Sequence, residues 1–245
     1  MLGELGIKLP KPPENTLKSR MFTVSLKDIS GGRFDPYYNQ KYFKNIFTSI
    51  HSCKFDVLSL KKTISNFVKG IEVGSSEYLS EGIPFVRVAD ITDFSVNVKD
   101  ADKKISKEKY EELKKYHKPK QGELLYSKDG TIGFCVVVEK EEDYILSSGI
   151  LRINCNSEID NYFFKYLLST KLYKKLADRV SIGTVIKHLT IEDWLNISIP
   201  FPPLDKQQEI AEHISGIREQ AQKLKYKTVE ALKEASKEIE DILLN

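Results

Sequence analysis

GTVIKHLTIEDWLNISIPFPPLDKQQEIAEHI, residues 183–214, is where two kinds of chain meet. Up to Ile199 it is mixed, with a short helical turn over Thr190–Trp194 and a strand over Ile197–Ile199. Pro200, Pro202 and Pro203 close that strand, because proline lacks the N–H a sheet ladder needs. After Leu204 the composition changes. Residues 205–244 hold no proline and one glycine. Apolar or small residues recur there at Ile210, Ile214, Ile217, Ala221, Leu224, Thr228, Leu232, Ala235, Ile239 and Ile242. The spacings alternate between three and four, with one stutter at Thr228–Leu232, which is a heptad seam. Forty helical residues make a rod of about 60 Å. A rod cannot bury its stripe against itself, so the seam calls for a second helix, from a partner or a second copy, the plainer alternative being a helix that lies across its own domain. Ile210, Ile214, Ile217, Leu224, Leu232 and Ile239 are the expected dimerisation residues.

Working back from the junction, the chain reads as α+β. Asn161–Ala177 has an amphipathic helical pattern through Phe164, Leu167, Leu168, Leu172 and Leu176. Tyr144–Ile153 contains a strand broken near Ser147-Ser148-Gly149. Strands are also expected at 122–126, 134–139 and 85–88. Ser106 is placed to cap a helix over 106–116. Residues 60–68 read as a short helix or strand, and Tyr37–Ile50 as a short helix. MFTVSLKDI (21–29) alternates and reads as a strand, broken at Gly31-Gly32. Residues 1–20, rich in Pro and Lys, read as a mobile lead-in. The expected organisation is a lead-in over 1–20, a globular domain over 21–204 and a long helix over 205–245.

Composition narrows the class. The 245 residues are 40% hydrophobic and 30% charged, enough apolar material for a core. No apolar run approaches the roughly 20 residues of a membrane span, so no membrane partner is expected. The opening MLGELGIKLPKPP lacks the layout of a secretory signal. Cys53, Cys135 and Cys155 are odd in number and far apart, matching neither a disulfide framework nor a zinc site. A cytoplasmic setting follows. The net charge of +3 is uneven: residues 205–245 carry nine acids and seven bases, leaving +5 on residues 1–204. Residues 161–189 hold six bases against Asp178, and residues 103–128 hold nine lysines against four glutamates. Two basic stretches in one domain suit a phosphate backbone, although lysine-rich helices also simply solvate a surface.

No reactive constellation stands out, and neither catalytic residues, a metal site nor a cofactor is expected. Asp35-Pro36-Tyr37-Tyr38 departs from the Asp/Asn-Pro-Pro-aromatic tetrad of amino-methyltransferases at its third position, so a structural turn is the reading. Gly130–Gly133 lacks the lysine and length of a phosphate loop. Asp90, Asp93 and Asp100 lack the acid-x-lysine strand of a nuclease. His117, His188 and His213 have no nucleophile partner. Three segments suit contact instead: Arg87 in FVRVADIT; Ser127, Lys128 and Thr131 in the loop SKDGT; and Ser181, Thr184, Lys187 and His188 in SIGTVIKH. These side chains can pair with base edges or phosphates. The plainer alternative is that Lys128 and Lys187 are solvated and Arg87 is a structural arginine.

Four segments, in order, resemble the specificity (S) subunits of Type I restriction-modification systems. They are GIPFVRVADIT (82–92), GELLYSKDGTIG (122–133), SSGILRINCN…DNYFFKYLLS (147–169) and the junction itself (183–214). The resemblance covers about residues 55–245 and is looser over 1–54, including RFDPYY. It implies a non-catalytic subunit whose target-recognition domain reads half of a split DNA site. It also implies a spacer helix that packs antiparallel on a second one. An adenine-N6 methyltransferase subunit, binding S-adenosylmethionine, and a motor-nuclease subunit would dock on it. A full S subunit has two recognition domains and two spacers. One of each here leads to the expectation of a half-subunit, natural or truncated, that homodimerises through residues 205–245 on double-stranded DNA. The alternatives are a recognition domain of a Type II restriction-methyltransferase and a coiled-coil interaction protein without DNA readout.

Overall fold

The computed structural model describes every residue except Ser30, Gly31, Phe94 and Asn245, and all side chains of the rest except Arg20 and Asp28. In chain order the helices and strands are α1 (Leu17–Arg20), α2 (Leu26–Ile29), α3 (Lys41–His51), β1 (Asp56–Ser59), α4 (Leu60–Thr63), β2 (Ile64–Lys69), β3 (Ile83–Val86) and β4 (Lys104–Ile105). Then come α5 (Lys107–His117), β5 (Leu124–Ser127), β6 (Cys135–Val137), β7 (Ile145–Leu146), β8 (Ile150–Cys155), α6 (Asn161–Leu168) and α7 (Lys171–Arg179). The chain ends with β9 (Ser181–Ile182), β10 (His188–Leu189), α8 (Ile191–Leu195), β11 (Ser198–Phe201) and α9 (Leu204–Leu244). This is the mixed α+β architecture with a long C-terminal helix that the sequence predicts.

The central sheet is antiparallel in the order β2-β8-β5-β6. Residues of β5 and β6 are buried on both faces, and their runs are correspondingly continuous and apolar. One face carries the main core, where Leu124, Tyr126, Leu151 and Ile153 meet Phe163, Phe164 and Leu167 of α6 and Trp194 of α8. The Tyr126 and Trp194 rings lie 4.8 Å apart. The other face packs Leu125 and Val136 against Val86, Leu146 and Ile150. Here β3 holds β4 antiparallel on one side and β7 parallel on the other. β1 pairs antiparallel with β11, tying the start of this globular unit to its end beside Pro202-Pro203.

Three expectations need correction. Met21–Ile29 is not a strand: alternation forms a strand only with a partner, and Met21 lies exposed before the single turn of α2, as does Leu26 within it. The Gly31 of the expected break lies outside the described residues. Asn161–Ala177 is two helices. Asp160 Oδ1 accepts from the Phe163 N–H at 2.7 Å to start α6, and Thr170 Oγ1 accepts from the Tyr173 N–H at 3.3 Å to start α7. Thr170 also donates to the Leu167 carbonyl at 2.8 Å, and these side-chain bonds compete with a continuous helix. The lead-in is packed at its start, with Leu5 fully buried and Ile7 nearly so in the main core.

Candidate nucleic-acid interface

β5 ends at Ser127 and turns into Lys128-Asp129-Gly130. Gly130, at φ +65°, takes a conformation a side chain would strain. This loop joins the β9–β10 hairpin: the Gly130 N–H donates to the Lys187 carbonyl and the Leu189 N–H to the Lys128 carbonyl, both at 2.8 Å. Asp129 bridges to His188 along the backbone, and its carboxylate meets His188 Nδ1 at 2.9 Å. On its other side the Lys128 N–H donates to the Gly149 carbonyl at 2.8 Å. A Cβ on Gly149 would stand 2.9 Å from Val88 Cγ2 and 3.6 Å from Asp129 Cβ. The chain therefore passes from Arg87-Val88 through Gly149 and Asp129 to Lys187-His188 without a gap. The three segments singled out in the sequence form one surface.

Not every named side chain faces out of it. Ser127 is buried; its hydroxyl donates to the Thr131 carbonyl at 2.7 Å and accepts from the Phe134 N–H at 2.8 Å. Ser181 is buried and donates to the Ala177 carbonyl at 2.7 Å. Both hydroxyls shape the loops, and as free contact groups they are withdrawn. Thr131, Thr184 and His188 are exposed, and Arg87, Lys128 and Lys187 are half-buried.

The cations are matched in place. Arg87 Nη2 pairs with Asp102 at 2.9 Å, and Lys103 and then Arg87 hold that carboxyl below the usual carboxylate range. Lys128 pairs with Asp129 at 2.5 Å, and Lys187 pairs with Asp178. Asp178 also accepts from the Tyr37 hydroxyl at 2.9 Å. Asp35 takes the Tyr37 and Tyr38 N–H groups at 2.8 and 3.4 Å, so the tetrad-like segment is a turn supporting this edge. Each of the three cations thus has a carboxylate beside it, Asp102 largely exposed and Asp129 and Asp178 partly buried.

Residue reasoning missed the apolar tip of the hairpin. Val185 is 93% exposed, with Ile182 and Ile186 also outside. The signal was present as aliphatic residues crowded between Gly183 and Lys187. It missed Arg33 as well, which donates to the Ser181 carbonyl at 3.2 Å and pairs with Asp35 at 3.1 Å, fastening the hairpin's base. Among the described residues no three His, Cys, Asp or Glu side chains gather as a metal-ligand set, and no helix is long and apolar enough to cross a membrane.

The family model of the type I restriction modification DNA specificity domain matches residues 56–234, from the start of β1 far into α9. The chain belongs to that family. Over 116 residues it is 33% identical to the type I restriction enzyme MjaVIII specificity subunit of Methanocaldococcus jannaschii, a match covering 47% of this chain and 27% of that one. It is 26% identical over 140 residues to the EcoBI specificity subunit of Escherichia coli, covering 57% and 29%. The fold is similar to that of the M. genitalium type I S subunit, with a TM-score of 0.51, 15% identity and coverage of 71% of this chain and 41% of that one. A chain solved in a study of type I system assembly and conformational transition gives a TM-score of 0.52, 20% identity and coverage of 72% and 41%. The specificity domain here thus spans well under half the length of the relatives it matches. The family supplies the recognition component of these systems and not their catalysis.

Proposed function

We propose that this specificity domain reads one half of a bipartite DNA site for a type I restriction-modification system and works in the cytoplasm. The observation that carries this reading is the convergence of the 87–88, 128–131 and 184–188 segments on one surface. Arg87, Lys128 and Lys187 supply phosphate or guanine partners, and Val185 and Ile186 suit thymine methyl groups or a wedge between base steps. The adenine-N6 methyltransferase and restriction subunits named by the resemblance dock on the chain and carry out the chemistry. The exposed seam of α9, Ile217–Leu224–Leu232–Ile239, pairs with a second copy. Two-fold symmetry then makes the target a palindrome with an unread gap.

The test is purification of the chain with its methyltransferase subunit, followed by the mass of the complex and its DNA affinity against salt. Two copies of the chain and a steep loss of affinity with salt are expected. Arg87→Ala should cost about 1–3 kcal/mol and relax one position of the site, whereas Lys187→Ala should weaken all sequences alike. Unchanged affinity and preference in both variants would overturn the assignment of this surface.

A further inference from the structure

Lys165 lies within α6 and is 7% exposed. It makes no ion pair among the described residues, and its ammonium stands instead over the rings of Tyr162 and Tyr166, at 5.8 and 5.6 Å. Arg218 of α9 lies over the same Tyr166 ring at 5.1 Å. Burial first, and then the Arg218 charge, pull the lysine's pKa down. The Glu139 charge opposes that shift, and its carboxylate takes the Tyr162 hydroxyl at 2.7 Å. A buried cation without a paired carboxylate is costly, and an apolar side chain of similar length would fill the space without that cost. Lys165 also lines an open cleft of about 570 Å³ between α6 and α9, whose charged wall is Lys165 and Arg218 with Glu139 and the exposed Glu219.

α9 holds the complementary charge at its other end. Residues 217–228 carry Arg218, Lys223, Lys225 and Lys227 against Glu219, a balance of +3. Residues 229–244 carry Glu230, Glu234, Glu238, Glu240 and Asp241 against Lys233 and Lys237, a balance of −3. Two copies paired in parallel would set like charge on like. An antiparallel two-fold sets the basic half on the acidic half, and it runs the last acidic turn of one copy past Arg218 of the other, at the mouth of the cleft.

We infer that Lys165 and Arg218 form a socket for Glu238 or Glu240 of a second copy, so that each globular domain grips the far end of its partner's helix. This rests on the homodimer reading above. Arg218 already donates to the Asp93 carbonyl at 3.4 Å within one chain, and it is Lys165 that gains a paired carboxylate on assembly.

The experiment is sedimentation of the full chain from nanomolar to micromolar concentration at low and high salt. The wild-type dimer should loosen with salt. Lys165→Met should raise its dissociation constant about tenfold and flatten the salt dependence, with the thermal midpoint unchanged or higher. Glu238→Gln with Glu240→Gln, on exposed positions that cannot unfold the domain, should weaken the dimer equally. Combined with Lys165→Met these changes should add little, since contacting groups are not additive. A wild-type chain that stays monomeric throughout overturns the homodimer reading and this socket with it. A dimer indifferent to Lys165→Met or to the Gln pair, or weakened additively by the two, overturns the socket alone.

Discussion

Gln207 shows how one side chain sets the direction of a helix. It is fully buried; its amide donates to the Glu158 and Pro202 carbonyls, both at 2.9 Å, and accepts from the Asp160 N–H at 3.0 Å. The first turn of α9 is thereby locked to the cap of α6, and Tyr166 and Ser215 add a 2.8 Å hydroxyl bond about two turns further on. Gln207→Ala leaves three backbone groups without this partner, the Pro202 carbonyl among them at a buried residue, and should cost about 1–3 kcal/mol in urea unfolding, more than typical surface changes. The Gln-rich helix start was visible in the sequence as part of a pattern, but its three partners lie on segments 47 to 49 and five residues away. The same blindness explains Ser127 and Ser181. A hydroxyl in a loop reads equally as a contact or as a brace, and only burial decides.

At the scale of elements, local chemistry was legible and pairing was not. Ser106 caps α5 through the Lys109 N–H at 3.1 Å, as its sequence context predicts. The break between β7 and β8 falls at Ser147–Gly149, where small polar residues interrupt the run. The strand expected over Met21–Ile29 failed because no strand among the described residues pairs with it, and the split of α6 from α7 was hidden by an unbroken apolar stripe. The β9–β10 hairpin carries the sharpest test at this scale. Gly183 has φ +97°, and a Cβ there would run into the Ile186 carbonyl oxygen. Gly183→Ala should therefore re-form the tip that presents Val185 and Ile186. DNA affinity should fall at least about tenfold while the urea midpoint shifts little, since the tip contributes nothing to the core. Parallel gel-shift and unfolding measurements separate the two effects.

For the whole molecule, the heptad seam was readable, but its ownership was not. Ile210 is buried and Ile214 partly buried in the chain's own core, so Ile210 is not available as a dimer contact. Ile217, Leu224, Leu232 and Ile239 stand exposed beyond it. A continuous seam in sequence is thus core at its start and exposed face beyond, divided where the globular domain ends. Ile210→Ala should destabilise the domain by about 2–5 kcal/mol through the cavity it leaves. Ile217→Asp should leave the domain's unfolding within about 0.5 kcal/mol and separate the subunits. Calorimetry beside light scattering distinguishes them.

Every residue from Glu219 to Leu244 is exposed in the single chain. That stretch of helix gains nothing from burial and stands on propensity alone, which in water is marginal. The consequence is one of supply. Its lysines at 223, 225, 227, 233 and 237 are a row of protease targets, open in the single chain and, with α9 paired as proposed, closed in the assembled one. Surplus chains would be trimmed back to the globular domain, and the amount of intact protein in a cell would follow the amount assembled, not the amount synthesised.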